Sequence, residues 1–545
     1  MTIILRVKKW LDEEEFKELV KIADYLGYQD GYRLFSINIG KALKNGYLPV
    51  DVKNLVEEYM EEDNLVDKID SLLNEYSPVI QWDSIKGVVK IQLQKDLFNL
   101  VKNELRKYSY KYLGLDGDKV TVEILPYHGY DIYKYLKSIS PEVVDIANVF
   151  TDKTLLIKPE LRNIELRPYQ KEALEKWLEN GRKGIIALPT GSGKSIIAIA
   201  ALVETSVRTL IVAYTKEQIQ QWRDFILKYT NIPSHIIGLF YGEEKKLAPI
   251  TITTYQSGYR YINTISPYFG LLVVDEVHHL PADKFKYIAL HTLANYRMGL
   301  SATPTREDGK HEDLFPLLGG IVYYKHPSDL VEEGYLAPYK IITVKVKLKP
   351  DERKLYEQLR AKYRELVKGR KFEEILEEAR RGYTHAVEAL KVHSELRQLI
   401  AMSSSKIDKA VEIAKLEYER NNKVIIFTQY IDQAMEIARR LNALVLTGET
   451  PEIDRKKSLE EFKNSTRGIL VVTTVGDEGL DIPDANVGII VSGTGSRRQF
   501  IQRLGRLLRP KYRSMGAILY EIITEKTPEE YQARKRKTIN LDDYP

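Results

Sequence analysis

A chain of 545 residues, 43% hydrophobic and 29% charged, has the make-up of a globular protein with room for three or four domains. It contains no cysteine, which excludes disulfides, thiolate zinc sites, iron–sulfur clusters and cysteine nucleophiles. The formal charge of +5 permits nucleic-acid binding without demanding it, and no run approaches the roughly 18 apolar residues of a membrane span.

The start, "MTIILRVKKWLDEEEF", has an apolar run too short for a secretory signal and acids directly after it, so a cytoplasmic location is expected. Residues 1–155 read as an α+β domain. Amphipathic helices are expected at "DEEEFKELVKIADYLG", "DVKNLVEEYMEE" and "LVDKIDSLLNEY", and strands at "GVVKIQL" and "VTVEIL". This region carries no catalytic signature. Its Trp82 and many tyrosines suit either stacking on distorted bases or ordinary core packing.

Between 156 and 335 the pattern changes. "GIIAL", "RTLIVAY", "ITITTY", "LLVVDE" and "RMGLSAT" alternate with helical stretches, the pattern of a doubly wound parallel sheet buried on both faces. "ALPTGSGKSIIAIAAL" follows a strand and opens a helix. Gly191, Ser192 and Gly193 let the backbone curl until its N–H groups face phosphate oxygens. Lys194 adds a charge at the β/γ phosphates, and the Ser195 hydroxyl suits Mg2+. The full phosphate-loop pattern would put a glycine where Leu188 stands, so the weight falls on "PTGSGKS", Thr190 included. Downstream, Asp275 and Glu276 end a buried strand, where ionised carboxylates are costly unless a metal or water needs them. Asp275 is expected to hold Mg2+ and Glu276 to polarise a water. Upstream, "LRPYQ" supplies Arg167 and Gln170, and the Gln170 amide suits an adenine edge.

Residues 336–349 read as a connector containing the first strand of a second sheet. Residues 350–405 read as a charged helical hairpin with Lys368-Gly369-Arg370-Lys371 at its tip. The strand–helix alternation returns over 406–530, with "KVIIFTQY", "LVLTG", "GILVVTTV", "VGIIVSG" and "GAILYEII", and 531–545 is a polar tail. In "QRLGRLLRP", Gln502, Arg506 and Arg509 share one helix face, the placement of guanidinium groups aimed across a cleft at a γ-phosphate. The expected fold class is α/β: two doubly wound parallel-sheet domains, a helical insertion and an N-terminal α+β domain.

"LRPYQ", "PTGSGKS", "DEVHH", "SATP", "TTVGDEGLDIP" and "QRLGRLLR" follow one another as in superfamily 2 helicases and translocases, over about residues 165–520. With "TTYQS", the Arg306-Glu307-Asp308 triplet after "SATP" and the helical insertion, the chain resembles the XPB-type DNA helicases, in their archaeal form. The resemblance implies two RecA-like lobes that bind ATP and Mg2+ between them and grip a nucleic-acid strand across both. It places Asp481 by the ribose, and Ser301-Ala302-Thr303, with His278 nearby, as the turn that couples nucleotide to strand. Thr474 and Gly476 would lie by the DNA backbone, joined by Thr254, Gln256, Thr447 and Gly448 at strand–loop junctions. Lys368, Arg370 and Lys371 read either as a thumb tip that closes over DNA or as a solvated turn. The Arg306-Glu307-Asp308 triplet lies just beyond the coupling turn and is expected to act in strand separation rather than hydrolysis. By the same resemblance the N-terminal region links to damage recognition or to a nuclease partner. The expected activity is ATP-driven DNA opening in repair or transcription. The alternatives are duplex translocation without strand separation and an ATP-switched scaffold.

Overall fold

The structure is a computed structural model, and it describes residues 3–8, 10–60, 64–277, 282–303, 311–336, 338–473, 485–492, 516–531 and 533. In the strand Lys183–Ala187, Ile185 and Ile186 are both fully buried, yet they pack into two different cores. Leu210 and Ile211 divide in the same way in Thr209–Ala213, as do Leu272 and Val273 in Leu271–Val274. A sheet covered on both faces requires such near-continuous apolar runs.

This first sheet has eight strands. In spatial order they are Glu244–Lys245, Ile237–Tyr241, Ile250–Thr254, Thr209–Ala213, Leu271–Val274, Tyr296–Ser301, Lys183–Ala187 and Ile321–Tyr324. All pairings are parallel except that of the two-residue edge strand. The second sheet is parallel throughout, in the order Tyr339–Val346, Ala517–Thr524, Val487–Ile490, Lys423–Thr428, Gly468–Thr473, Leu444–Leu446. Two parallel sheets interleaved with helices form the two RecA-like lobes of an α/β protein.

The insertion after Tyr339–Val346 is not a simple hairpin. Helices Pro350–Val367 and Thr384–Ala401 pack through Tyr356, Val392, Leu396 and Ile400, and a third helix, Phe372–Arg380, sits between them in sequence. Gly369 (φ 81°) and Gly382 (φ 86°) turn the chain at either end of this short helix. The expected tip, 368–371, is therefore the junction of the first two helices. Polar contacts fix the insertion to the second lobe. Glu352 Oε1 accepts from the N–H (2.8 Å) and hydroxyl (2.7 Å) of Ser404, which opens the helix Ser404–Glu419 packed on the second sheet, and Arg353 donates to Glu525 O (3.3 Å).

The N-terminal region holds a three-stranded and a five-stranded sheet around one core. Here the sequence expectation fails locally. The helix expected at 12–27 stops at Ile22, and Ala23–Gln29 is a strand paired with Tyr32–Ile37. Asp30 (φ 51°) and Gly31 (φ 86°) make the two-residue turn between them, and a turn with two positive φ angles matches the twist of a hairpin.

The five-stranded unit docks on the first lobe. The Trp82 indole N–H donates to Asn263 O (3.1 Å), Asn263 Nδ2 donates to Ile85 O (3.2 Å), and His291 Nδ1 donates to Gly87 O (2.9 Å). Gly87 has φ +65°, and a Cβ there would come within 2.2 Å of the Asn263 side chain. Trp82 is thus a docking residue, its indole N–H engaged by the lobe. Arg297 is buried at the same junction. It donates to the carbonyls of Ala289, Thr292, Ala294 and Leu317 and lies 4.6 Å from the centre of the Tyr127 ring. Burial lowers its pKa to about 10, so it stays charged at neutral pH. Among the described residues no helix is long and apolar enough to cross a membrane.

Arg297→Ala strips four carbonyls, three of them in buried hydrogen bonds, of this donor. It should destabilise the first lobe by about 3 kcal/mol, read as an earlier first transition in chemical denaturation. A loss below about 1 kcal/mol would mean that water satisfies those carbonyls equally well.

Candidate nucleotide site and nucleic-acid surface

Three neighbouring strands set the site. Tyr296–Ser301 lies between Leu271–Val274 and Lys183–Ala187, with Val274 opposite Gly299 and Ala187 opposite Ser301. All three run the same way, so the phosphate loop, the acidic pair and the Ser301 turn leave one edge of the sheet together. Ligands bind at that carboxyl edge in open α/β sheets. Two backbone bonds join the three segments directly: Leu188 N–H donates to Ser301 O (3.0 Å), and Val277 N–H to Leu300 O (2.9 Å).

The loop 188–193 is held from several sides. Gly191 (φ 86°) and Gly193 (φ 81°) are both left-handed, and Gly193 caps helix Lys194–Thr205 without a side-chain acceptor on its first N–H groups. Ser192 is buried and its hydroxyl donates to Pro189 O (2.7 Å). The Gln170 amide works on this loop. Nε2 donates to Ser192 O (2.9 Å) while Oε1 accepts from Arg167 N–H (2.9 Å). Tyr169 donates its hydroxyl to Ser192 O as well (2.5 Å), and Arg167 donates to that hydroxyl (3.2 Å). So "LRPYQ" braces the loop from its own helix, Pro168–Glu179. A Cβ on Gly193 would stand 2.6 Å from Gln170 Nε2.

Lys194 is buried and its ammonium donates to Leu188 O (2.9 Å) and Pro189 O (3.4 Å). Asp275 is buried too. Burial and the adjacent Glu276 raise its carboxyl to about 6, against the Trp222 hydrogen bond and the Lys194 charge, which lower it. Trp222 Nε1 donates to Asp275 Oδ2 (2.9 Å), and Glu276 N–H donates to Oδ1 (3.0 Å). Glu276 has φ 47°, an uncommon angle for a residue with a side chain and one typical of functional positions.

These groups fit a nucleoside triphosphate and its cation. The Thr190 hydroxyl oxygen is buried with no hydrogen-bond partner among the described residues. The helix N-terminus is positive, and Ser195 and Asp275 are oxygen donors of the kind Mg2+ takes.

Ser301 is fully buried. Its hydroxyl donates to Thr303 O (2.5 Å) and accepts from Thr303 N–H (3.2 Å), so the turn through Ala302 is closed on itself. On the expected nucleic-acid surface, Thr254 caps helix Tyr255–Ile265 by accepting from Ser257 N–H, and Gln256 is exposed in its first turn. Thr447 is buried with its hydroxyl accepting from Glu449 N–H (3.2 Å), and Gly448 is exposed. Both loops follow the carboxyl ends of parallel strands. On the insertion, Lys368 and Lys371 are exposed, whereas Arg370 donates to both Glu378 carboxylate oxygens (3.0 and 2.8 Å) and to the Val367 and Leu366 carbonyls. His278, Arg306, Glu307, Asp308, Thr474, Gly476, Asp481, Gln502, Arg506 and Arg509 lie outside the described residues. The sequence reading missed Trp222 and Tyr169. Tyr169 stands inside "LRPYQ", but nothing local ties Trp222 to an aspartate 53 residues later.

Residues 163–306 match the family model for the type III restriction enzyme res subunit, and residues 383–543 match that for the ERCC3/RAD25/XPB C-terminal helicase. The chain is 38% identical over 382 residues to the DNA 3'-5' translocase XPB2 of Sulfurisphaera tokodaii, covering 69% of this chain and 85% of that protein. The chain belongs to the XPB family. Two bacterial relatives, each called DNA 3'-5' helicase XPB, are more distant. That of Kineococcus radiotolerans is 33% identical, covering 70% of this chain and 63% of the relative. That of Mycobacterium tuberculosis is 27% identical, covering 88% and 82%. The match to the mycobacterial XPB spans 490 residues, against 382 for the archaeal translocase.

Gly193→Ala meets both the Gln170 amide and the φ penalty of about 1–2 kcal/mol. Nucleotide affinity should fall about tenfold or more, measured by titrating a fluorescent ATP analogue. Unchanged affinity would mean that the loop can relax around a methyl group.

Proposed function

We propose that this XPB-family protein is an ATP-dependent DNA helicase or translocase in which the first lobe hydrolyses ATP and passes the change to DNA through the Ser301–Thr303 turn. The observation that carries this reading is the bond from Leu188 N–H to Ser301 O, which ties the base of the phosphate loop to the strand ending in that turn.

Lys194 and the N–H groups after Gly193 would stabilise phosphate charge, and Gln170, Tyr169 and Arg167 would keep the loop in shape for it. Ser195 and Asp275 would hold Mg2+, which neutralises charge on the phosphates when bound. Glu276 would accept a proton from the attacking water. Gln502, Arg506 and Arg509, assigned from sequence, would complete the site from the second lobe. Asp481, likewise assigned from sequence, would meet the ribose. The relatives' names supply a 3'-to-5' direction. Because these names include both helicase and translocase, fork unwinding and movement on intact duplex are separate measurements: displacement of a forked strand with a 3' tail, and displacement of a triplex third strand.

Glu276→Gln removes the base and keeps the shape, so hydrolysis should fall by about 10²–10⁴ while ATP and DNA still bind. Hydrolysis near the wild-type rate would end the assignment of Glu276 as base.

The Arg306-Glu307-Asp308 triplet is proposed to part strands. Replacing all three by Ala should leave DNA-independent ATPase intact and impair fork unwinding. Collapse of the ATPase would place the triplet in the nucleotide site instead.

A further inference from the structure

A cavity of 640 Å³ lies between the helical insertion and the second lobe. That volume is within the range of small-ligand sites. One wall is a face of helix Pro350–Val367 that carries Arg360, Tyr363 and Arg364. Helix Thr384–Ala401 faces it with His393 and Arg397. Phe372, at the start of the short helix, completes the rim. The floor is the carboxyl edge of the second sheet, at Ile490–Ser492 and Gln429.

The charges in this cavity do not balance. Its one lining acid, Glu529, is taken by the buried Lys406, whose ammonium lies 2.7 Å from Glu529 Oε1 and also donates to Val491 O (3.0 Å). Arg360, Arg364 and Arg397 make no ion pair with any described residue. Three guanidinium groups against an apolar wall repel one another and concentrate anions. The aromatic rings form a connected set: His393 lies 5.5 Å from Tyr363 and 5.0 Å from Phe372, centre to centre. Burial and the charge of Arg397 hold the His393 pKa below its ordinary value, so this ring is neutral at pH 7 and adds no further charge to the set. Flat apolar faces beside free guanidinium groups suit a ligand with a planar ring at one end and an anion at the other.

We propose that this cavity takes a nucleotide unit, its base against Tyr363, Phe372 and His393 and its phosphate on Arg360, Arg364 and Arg397. The unit is either one nucleotide of a bound single strand or a free mononucleotide. The first source rests on the DNA-binding reading above; the second does not. Stacking on such a platform tolerates any base, and the phosphate contacts carry the salt dependence.

The test uses the full chain with two photoactive probes, an oligo(dT) carrying one 4-thiothymidine and free 4-thiothymidine monophosphate. Cross-links are mapped by mass spectrometry. Adducts on Tyr363, Phe372 or His393 are expected, and the probe that yields them names the source. For the strand, the double variant Arg364→Ala/Arg397→Ala should bind oligo(dT) at least tenfold more weakly at moderate salt. Its log–log salt slope should be shallower by about 1.4, for two phosphate contacts at about 0.7 each. For the mononucleotide, the variant should lose the cross-link. Both side chains are exposed, so its melting temperature and DNA-independent ATPase should match the wild type.

If the wild type retains the oligonucleotide, the variant binds it with the same affinity and slope, and both probes label residues outside the cavity, the proposal is wrong. The arginine stems then merely cover apolar surface. If the wild type fails to retain the oligonucleotide at all, the DNA-binding reading fails on its own account, and the mononucleotide probe alone decides the cavity.

Discussion

The working parts of the first lobe depend on the parallel register of three strands. With Val274 opposite Gly299 and Ser301 opposite Ala187, the chain leaves the sheet three times within a few ångströms. Each exit carries different chemistry: carboxylates, a polar turn and a phosphate loop. A shift of one residue in a strand would turn its side chains to the opposite face. The apolar alternation between two cores holds that register, so core packing and site geometry are one constraint. Gly299 shows how tight it is: a Cβ there would sit 2.7 Å from Ile185 and 2.9 Å from Leu318.

Around this frame the polar groups are fixed by partners distant in sequence. Gln170 and Tyr169 converge on one carbonyl, that of Ser192, and shape the loop from a helix 22–23 residues upstream. Trp222 fixes the rotamer of Asp275 from another helix. A buried carboxylate raised toward neutrality by desolvation is a poor resident on its own. It makes sense beside a cation, whose charge restores the ionised form.

Much of this was legible in the chain. Strands buried on both faces announce themselves as runs of Val, Ile and Leu, and "PTGSGKS" and "LLVVDE" fall on their ends because strand, loop and helix are local patterns. Failures came where tertiary pairing overrode them. The segment around Tyr25 and Tyr28 continues the helical spacing of 13–22, yet the Asp30-Gly31 turn folds it back as a strand. That dipeptide was the available signal. The third helix of the insertion was hidden by uniform charge, and its start at Phe372 emerges only because Val367, Ile375, Ala386 and Ala389 find one another in space. The role of Trp222 is long-range, and no short window of sequence contains both it and Asp275, just as none joins Arg297 to the Tyr127 ring.

The appended parts divide between the two lobes, and this decides what moves with what. Trp82, Gly87 and His291 fasten the N-terminal unit to the first lobe, and its core takes in Leu293 of that lobe. Glu352 and Arg353 tie the insertion to the second. Gln433, fully buried, extends that hold: its Nε2 donates to Ala401 O at the end of the insertion's last helix while its Oε1 accepts from Ser492. The covalent path between the lobes runs through helix Pro327–Glu332 and Gly334, whose φ of 75° marks a backbone turn that side-chain-bearing residues resist. Opening or closing of the inter-lobe cleft would therefore carry the N-terminal unit with the first lobe and the insertion with the second. A strand held at both would feel that displacement, because each appended part is hydrogen-bonded to its own lobe.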